Sequence, residues 1–195
     1  MKKLLFVSLF FLSATIIFNA CSADRGANAF NSTGSVLTYH LSNDNGTYDF
    51  IVSDLEMDKD IAFTWKMTEP LNYTGKVNMT ETAIDESTKI VNYFTDGSSQ
   101  TMTEKTTIWV SRKVYNALKN KQAIEMHIDG FAETINYIGT EKYKFQLNTK
   151  DHEVDVLVAD SEYGSKFWIL DDPDYPLIIK MELDFTIKLM VVCKK

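Results

Sequence analysis

The chain has 195 residues, 45% hydrophobic and 24% charged, which is enough apolar content for one packed core and too much for wholesale disorder. Three prolines and eight glycines exclude collagen-like and low-complexity classes. Twenty-seven acidic residues against twenty basic ones give a formal net charge of −7, with no long Lys/Arg block, so nucleic acid is not an expected partner.

The chain opens with Met1-Lys2-Lys3 and then an apolar run from Leu4 to Phe18. Two positive charges ahead of a greasy stretch are the pattern of an export signal. The run is too short for a stable membrane-spanning helix. Residues 1–20 are therefore read as a removable signal, and losing Lys2 and Lys3 would leave the remainder more acidic still. The sequence Phe18-Asn19-Ala20-Cys21 resembles the cleavage box of bacterial lipoproteins, in the looser form used by Bacteroidota. That resemblance implies that Cys21 becomes the first residue and carries lipid on its sulfur and amine. Two or three acyl chains hold a protein stably on a bilayer. Ser22, with no acidic cluster directly after it, implies the outer membrane of a Gram-negative bacterium and a periplasm-facing domain. With Cys21 lipidated, Cys193 is expected to be a lone, buried cysteine with no internal disulfide. Residues 21–34 are small and polar and read as a flexible tether. Residues 35–195 read as a single domain.

Residues 35–41 and 47–53 alternate apolar and polar positions on either side of Asn45-Gly46, a hairpin signal. Ile61, Phe63, Trp65 and Met67 alternate without a break, and Val77, Met79 and Ile90 with Tyr93 and Phe94 follow. Asp96-Gly97 marks a turn, and Ile108 and Val110 predict a further short strand. Ser111 can cap a helix over 112–121, because Val114, Tyr115 and Leu118 share one face. Strands resume over 123–128, turn at Asp129-Gly130 and return over 131–138. Tyr143, Phe145 and Leu147 alternate, as do Val154, Val156 and Val158, and Phe167-Trp168-Ile169 leads into a turn rich in Asp and Pro at 171–176. From Leu177 to Val191 every second residue is apolar. As one strand this stretch would reach roughly 50 Å, so it is predicted to be long and curved or split by a bulge. The whole predicts an all-β fold with one short helix, an antiparallel meander forming a barrel, half-barrel or sandwich.

His40, His127 and His152 form no paired ligand motif. His127 with Glu125 and Asp129 reads as a solvated strand face, Asp58 with Asp60 as a polar loop, and Asp171, Asp172 and Asp174 as a turn rather than a calcium loop. No Gly-x-Ser-x-Gly elbow and no glycine-rich phosphate loop occurs. The expectation is no enzyme, no metal and no cofactor. The aromatics remain: Trp65, Trp109 and Trp168, with Phe185 on the last segment, are the candidate lining of an apolar cavity inside the curved sheet.

Three stretches carry a second resemblance: Ile108-Trp109-Val110-Ser111-Arg112-Lys113-Val114, Phe167-Trp168-Ile169-Leu170-Asp171-Asp172-Pro173 and Pro176-Leu177-Ile178-Ile179-Lys180-Met181. Through them residues 106–192 resemble uncharacterised exported proteins of Bacteroidota. More distantly these are similar to periplasmic lipoprotein carriers, whose curved sheet wraps a helix and holds acyl chains. The resemblance implies a membrane-anchored, non-enzymatic protein that binds a hydrophobic or lipid ligand. The alternatives are a scaffold accessory of an outer-membrane assembly, which needs an exposed apolar patch, and a surface glycan-binding lipoprotein, which needs exposed aromatics.

Overall fold

Alternation builds nearly all of this fold. The computed structural model describes Phe30 and residues 33–194; the signal segment, Cys21 and most of the tether lie outside the described residues. In chain order the elements are β1 (Val36–Asn43), β2 (Gly46–Met57), β3 (Ile61–Met67), β4 (Thr74–Met79), α1 (Glu81–Glu86), β5 (Lys89–Ile90), β6 (Ser98–Met102), α2 (Arg112–Lys119), β7 (Ile124–Ile128), β8 (Phe131–Leu147), β9 (Lys150–Ser161), β10 (Lys166–Leu170), β11 (Ile178–Glu182) and β12 (Thr186–Cys193).

The twelve strands among the described residues form one sheet, in the order β5-β7-β8-β9-β10-β11-β12-β1-β2-β3-β4-β6. The runs β7 to β12 and β1 to β4 are antiparallel meanders. The first strand joins them by pairing with the last, from Val36 opposite Cys193 to Ser42 opposite Thr186. Three pairings are parallel: β4 with β6, β5 with β7, and β12 with β8. In the last of these Val191 lies opposite Gln146 and Val192 opposite Leu147, which brings β8 to β12 round into a ring. The protein is all-β, a mixed sheet with a partial ring of strands. Trp65, Trp109, Tyr39, Tyr175, Phe50 and Phe167 are among the largest fully buried side chains of one continuous core.

The expected final strand is a hairpin. A three-residue turn, Leu183 to Phe185, reverses the chain, so that Met181 faces Ile187 and Glu182 faces Thr186. Paired positions across an odd-length turn have the same parity, so alternation runs through the turn unbroken and a straight strand and this hairpin read alike. The opposite error occurs at β8. Two expected strands are one, bulged at Ile138, because β9 pairs along its whole length including the polar stretch at 139–142. Ile108 and Val110 do not form a strand. Ile108 has φ of +48°, and Trp109 makes only an isolated bridge to Leu177.

The predicted helix is α2, two residues shorter than expected. Ser111 Oγ accepts from Val114 N at 3.2 Å, and Lys121 at φ +57° ends the helical path. Its buried face, Val114, Tyr115 and Leu118, packs on β7, β8 and β9. The second helix, α1, was not expected. Thr80 caps it, and Asp60 Oδ1 accepts from Glu81 N at 3.0 Å. Arg112 pairs with Asp85 and Lys113 with Glu86, which ties the two helices together.

One boundary and one cysteine expectation need correction. Phe30, assigned to the tether, is only 4% exposed and packs on Phe145 at 5.1 Å between ring centroids and on Tyr175 at 6.5 Å. Ser35 is fully buried and Gly34 N donates to Leu55 O at 2.8 Å, so the fold claims part of the tether. Cys193 is half-buried and disulfide-bonded rather than a lone buried thiol. The chain's only other cysteine is Cys21, outside the described residues.

Candidate functional site

The turns β1–β2, β7–β8 and β11–β12 meet at one end of the sheet, with the loop after β5 laid beside them. Between them is a cavity of about 240 Å³. Its wall is apolar: Leu41 and Phe50 from the first hairpin, Met67 from the end of β3, Phe94 and Ile108 from the loops, and Met181, Phe185 and Ile187 from the last hairpin. Its rim is polar, made by Asn43, Asn92, Tyr93, Asp129 and Asp184. The cavity adjoins an open cleft of about 510 Å³, which shares Tyr93, Asp129 and Asp184 and adds Phe131, Glu133 and Tyr163.

The rim is built by the β7–β8 turn. Asp129, in the left-handed region at φ +53°, is followed by Gly130 at φ +94°, as a tight hairpin requires. The Asp129 carboxylate accepts from Asn92 N at 2.8 Å and from Asn92 Nδ2 at 2.9 Å, and Tyr93 Oη donates to the Asp129 carbonyl at 2.8 Å. This clamp holds the loop that carries Tyr93 and Phe94. Asp129 therefore points away from Glu125 and His127, which lie 3.7 Å apart on their own strand. Desolvation first, then the charges of Asp129 and Asp184, push the Tyr93 hydroxyl pKa up.

The mouth is aromatic and negative. Tyr93 is 62% exposed, Phe131 73% and Tyr163 72%. Asp129, Glu133 and Asp184 face the same space, and among the described residues no lysine, arginine or histidine lines the cavity or the cleft. Ile108 adds strain to the wall. A β-branched residue at positive φ costs on the order of 1–3 kcal/mol and persists only where its surroundings over-determine it. Here the Ile108 carbonyl accepts from Ile178 N at 2.9 Å while its side chain faces the cavity.

Of the four residues expected to line a cavity, Phe185 does so. Trp65 stands one layer behind, stacked on Phe50 at 6.2 Å and tilted on Phe94 at 5.0 Å, two rings that do form the wall. Trp109 is a core residue between Phe63 and Tyr175, 5.6 and 5.5 Å away. Its indole N–H lies against the Tyr175 hydroxyl, both of them buried. Trp168 lies elsewhere. Lys180 and Lys166 cover its ring at 4.0 and 4.7 Å, and its Nε1 donates to Glu141 at 3.0 Å. The rim residues Asn92, Tyr93, Asp129 and Asp184 escaped sequence reasoning, because they sit in loops where no periodicity marks a shared face. The one available signal was Asp129-Gly130 as a turn.

The Asp-rich turn also finds protein partners. Asp171 accepts from Tyr115 Oη at 2.6 Å and from Lys119 Nζ at 2.7 Å, and Asp172 Oδ1 accepts from Asp174 N at 3.0 Å. Among the described residues no group of three or more His, Cys, Asp or Glu is placed to hold a metal, and no helix is long and apolar enough to cross a membrane. No family model matches the chain, and no curated protein is significantly similar to it.

Proposed function

We propose that this is a lipid-anchored, non-enzymatic protein of the Gram-negative outer membrane, facing the periplasm, that binds a hydrophobic ligand in the cavity between its turns. The carrying observation is that cavity, about 240 Å³ with an apolar wall and a polar rim. Ligand pockets commonly run from about 300 to 1,000 Å³, so this one suits a short acyl segment or a ring system rather than a whole lipid. The ligand is not wrapped in the curve of the sheet, because Tyr39, Trp109 and Tyr175 occupy that interior. The site lies at the end of the fold.

The anchor rests on the first 21 residues of the sequence. One sulfur atom cannot carry a thioether-linked lipid and a disulfide at once, so the anchored form requires Cys193 to pair with a thiol other than Cys21. Native mass spectrometry of the protein extracted from its own envelope tests both halves. A lipid mass on the amino-terminal peptide, with a releasable, organic-soluble adduct on the fold, is expected. A bare amino terminus, with cysteines blocked until reductant is added, overturns the anchor. A fold free of adduct that also takes up no apolar probe overturns the ligand.

A second reading, surface glycan binding, keeps one observation in its favour. All three tryptophans are buried, but Tyr93, Phe131 and Tyr163 are exposed and open onto one cleft. Calorimetric titration with neutral oligosaccharides tests it.

A further inference from the structure

We propose that the ligand of this site is a small amphiphilic cation, its apolar tail in the cavity and its cationic group in the adjoining cleft. The inference rests on the reading of the cavity as a ligand site, and adds the chemical class of what enters it. The two spaces share Tyr93, Asp129 and Asp184, so one molecule can span both. The inner space is walled by apolar side chains, Phe50, Met181, Phe185 and Ile187 among them. The outer space presents the carboxylates of Asp129, Glu133 and Asp184 with no cationic side chain of the described residues beside them.

The exposed aromatics point the same way. Tyr93, Phe131 and Tyr163 are exposed and line the same cleft as those carboxylates, and a cation over a ring face gains about 0.5–2 kcal/mol. Elsewhere in this protein the chain's own lysines fill that role. Lys166 and Lys180 cover Trp168, and Lys121 lies 5.9 Å from the Tyr137 ring centre. At the mouth the described residues supply no such internal cation. An anionic head would meet three carboxylates there and would be repelled. The carboxylates differ in what else they do. Asp129 clamps Asn92, and Glu133 accepts from Ser161 Oγ at 2.5 Å. Asp184, in the turn of the last hairpin, is the one to change.

The test uses three probes with the same eight-carbon tail below their micelle concentrations: octyltrimethylammonium, octyl glucoside and octyl sulfate. Calorimetry reads affinity, and methyl shifts of Met181 and Ile187 report whether the tail is in the cavity. The ammonium probe is expected to bind about tenfold more tightly than the glucoside, with the sulfate weakest. Asp184→Asn should weaken the ammonium probe alone by about two- to fivefold, and added salt should do the same. Equal affinities for all three probes, unmoved by Asp184→Asn but with the methyl shifts present, overturn the cationic inference and leave the cavity reading standing. Preference for the glucoside also overturns it, in favour of a sugar head. Absence of any Met181 or Ile187 shift overturns the cavity reading itself.

Discussion

Gly75 lies directly opposite Trp65 on β3 and β4, and the indole fills the space a side chain at position 75 would need. A Cβ there would sit 2.6 Å from Trp65 Cζ2 and 2.7 Å from the Ser98 carbonyl oxygen. Neither neighbour can retreat. Trp65 is backed by Phe50 and Phe94, and Ser98 pairs with Gly75 in the parallel β4–β6 ladder. Gly75→Ala is therefore expected to destabilise the fold by at least about 1–3 kcal/mol, read as a lower urea midpoint at unchanged slope. Phe50 and Phe94 also wall the cavity, so the substitution should weaken apolar-probe binding as well. A neutral result on stability would contradict the packing described.

Asp171 joins the last turn of α2 to the loop after β10. Burial pushes its carboxyl pKa up, but hydrogen bonds from Lys119 and Tyr115, with the Lys119 charge, outweigh burial and hold it below the ordinary value. A carboxyl lowered in the folded state adds stability above its unfolded pKa of about 3.9, and loses it as pH falls through the lower folded value. Tyr115→Phe should cost about 1.5 kcal/mol at neutral pH, and Asp171→Asn should flatten the acid limb of the stability profile. Denaturation curves taken from neutral pH down to strong acid check both. An acid limb identical to that of the unaltered chain would remove Asp171 from the account.

At the alkaline end the buried tyrosines take over. Burial pushes Tyr143 up to about 12 and holds Tyr39 well above its usual range. Tyr143 Oη donates to the Leu189 carbonyl at 3.1 Å, and Tyr39 Oη to the Ile178 carbonyl at 3.0 Å, bonds that need the neutral phenol. Their contribution is complete below about pH 10 and is lost as pH rises through about 12. Tyrosinate absorbance should show a late class of groups that ionises together with unfolding. Tyr143→Phe should retain more of its neutral-pH stability in that window. Titration of every tyrosine near pH 10 in a still-folded protein would contradict this.

Phe30 closes the core from a segment that composition alone assigns to a linker. Phe30→Ala should cost about 3 kcal/mol, the usual scale for removing a buried ring, and a chain begun at residue 35 should lose as much. Thermal unfolding of the two against the chain begun at residue 22 checks this. Equal stabilities would mean that the ring contributes nothing in solution.

The strands were legible wherever one face is buried and the other wet, as in β3 from Ile61 to Met67. They were illegible where pairing alone holds them. In β6 only Met102 is buried, and its extended form comes from the ladder to β4. The last hairpin was hidden by the arithmetic of its turn, not by weak signal. The site was half legible for a related reason. Phe185 sits on an alternating segment and could be named, whereas Asn92, Tyr93, Asp129 and Asp184 converge only after three turns and a loop meet. Tryptophans drew attention because they are rare and apolar, but those same properties put Trp65 and Trp109 into the core.

The seating of Phe30 also sets a distance. For a chain held in a bilayer at Cys21, the first described residue seated in the core is Phe30, nine residues along. A fully stretched chain of that length reaches about 30 Å, whereas a leash running to residue 35 would reach about 50 Å. One phenyl ring thus sets the working radius of the domain. In the anchored form it would keep the cavity mouth within about 30 Å plus the fold's own width of the headgroups.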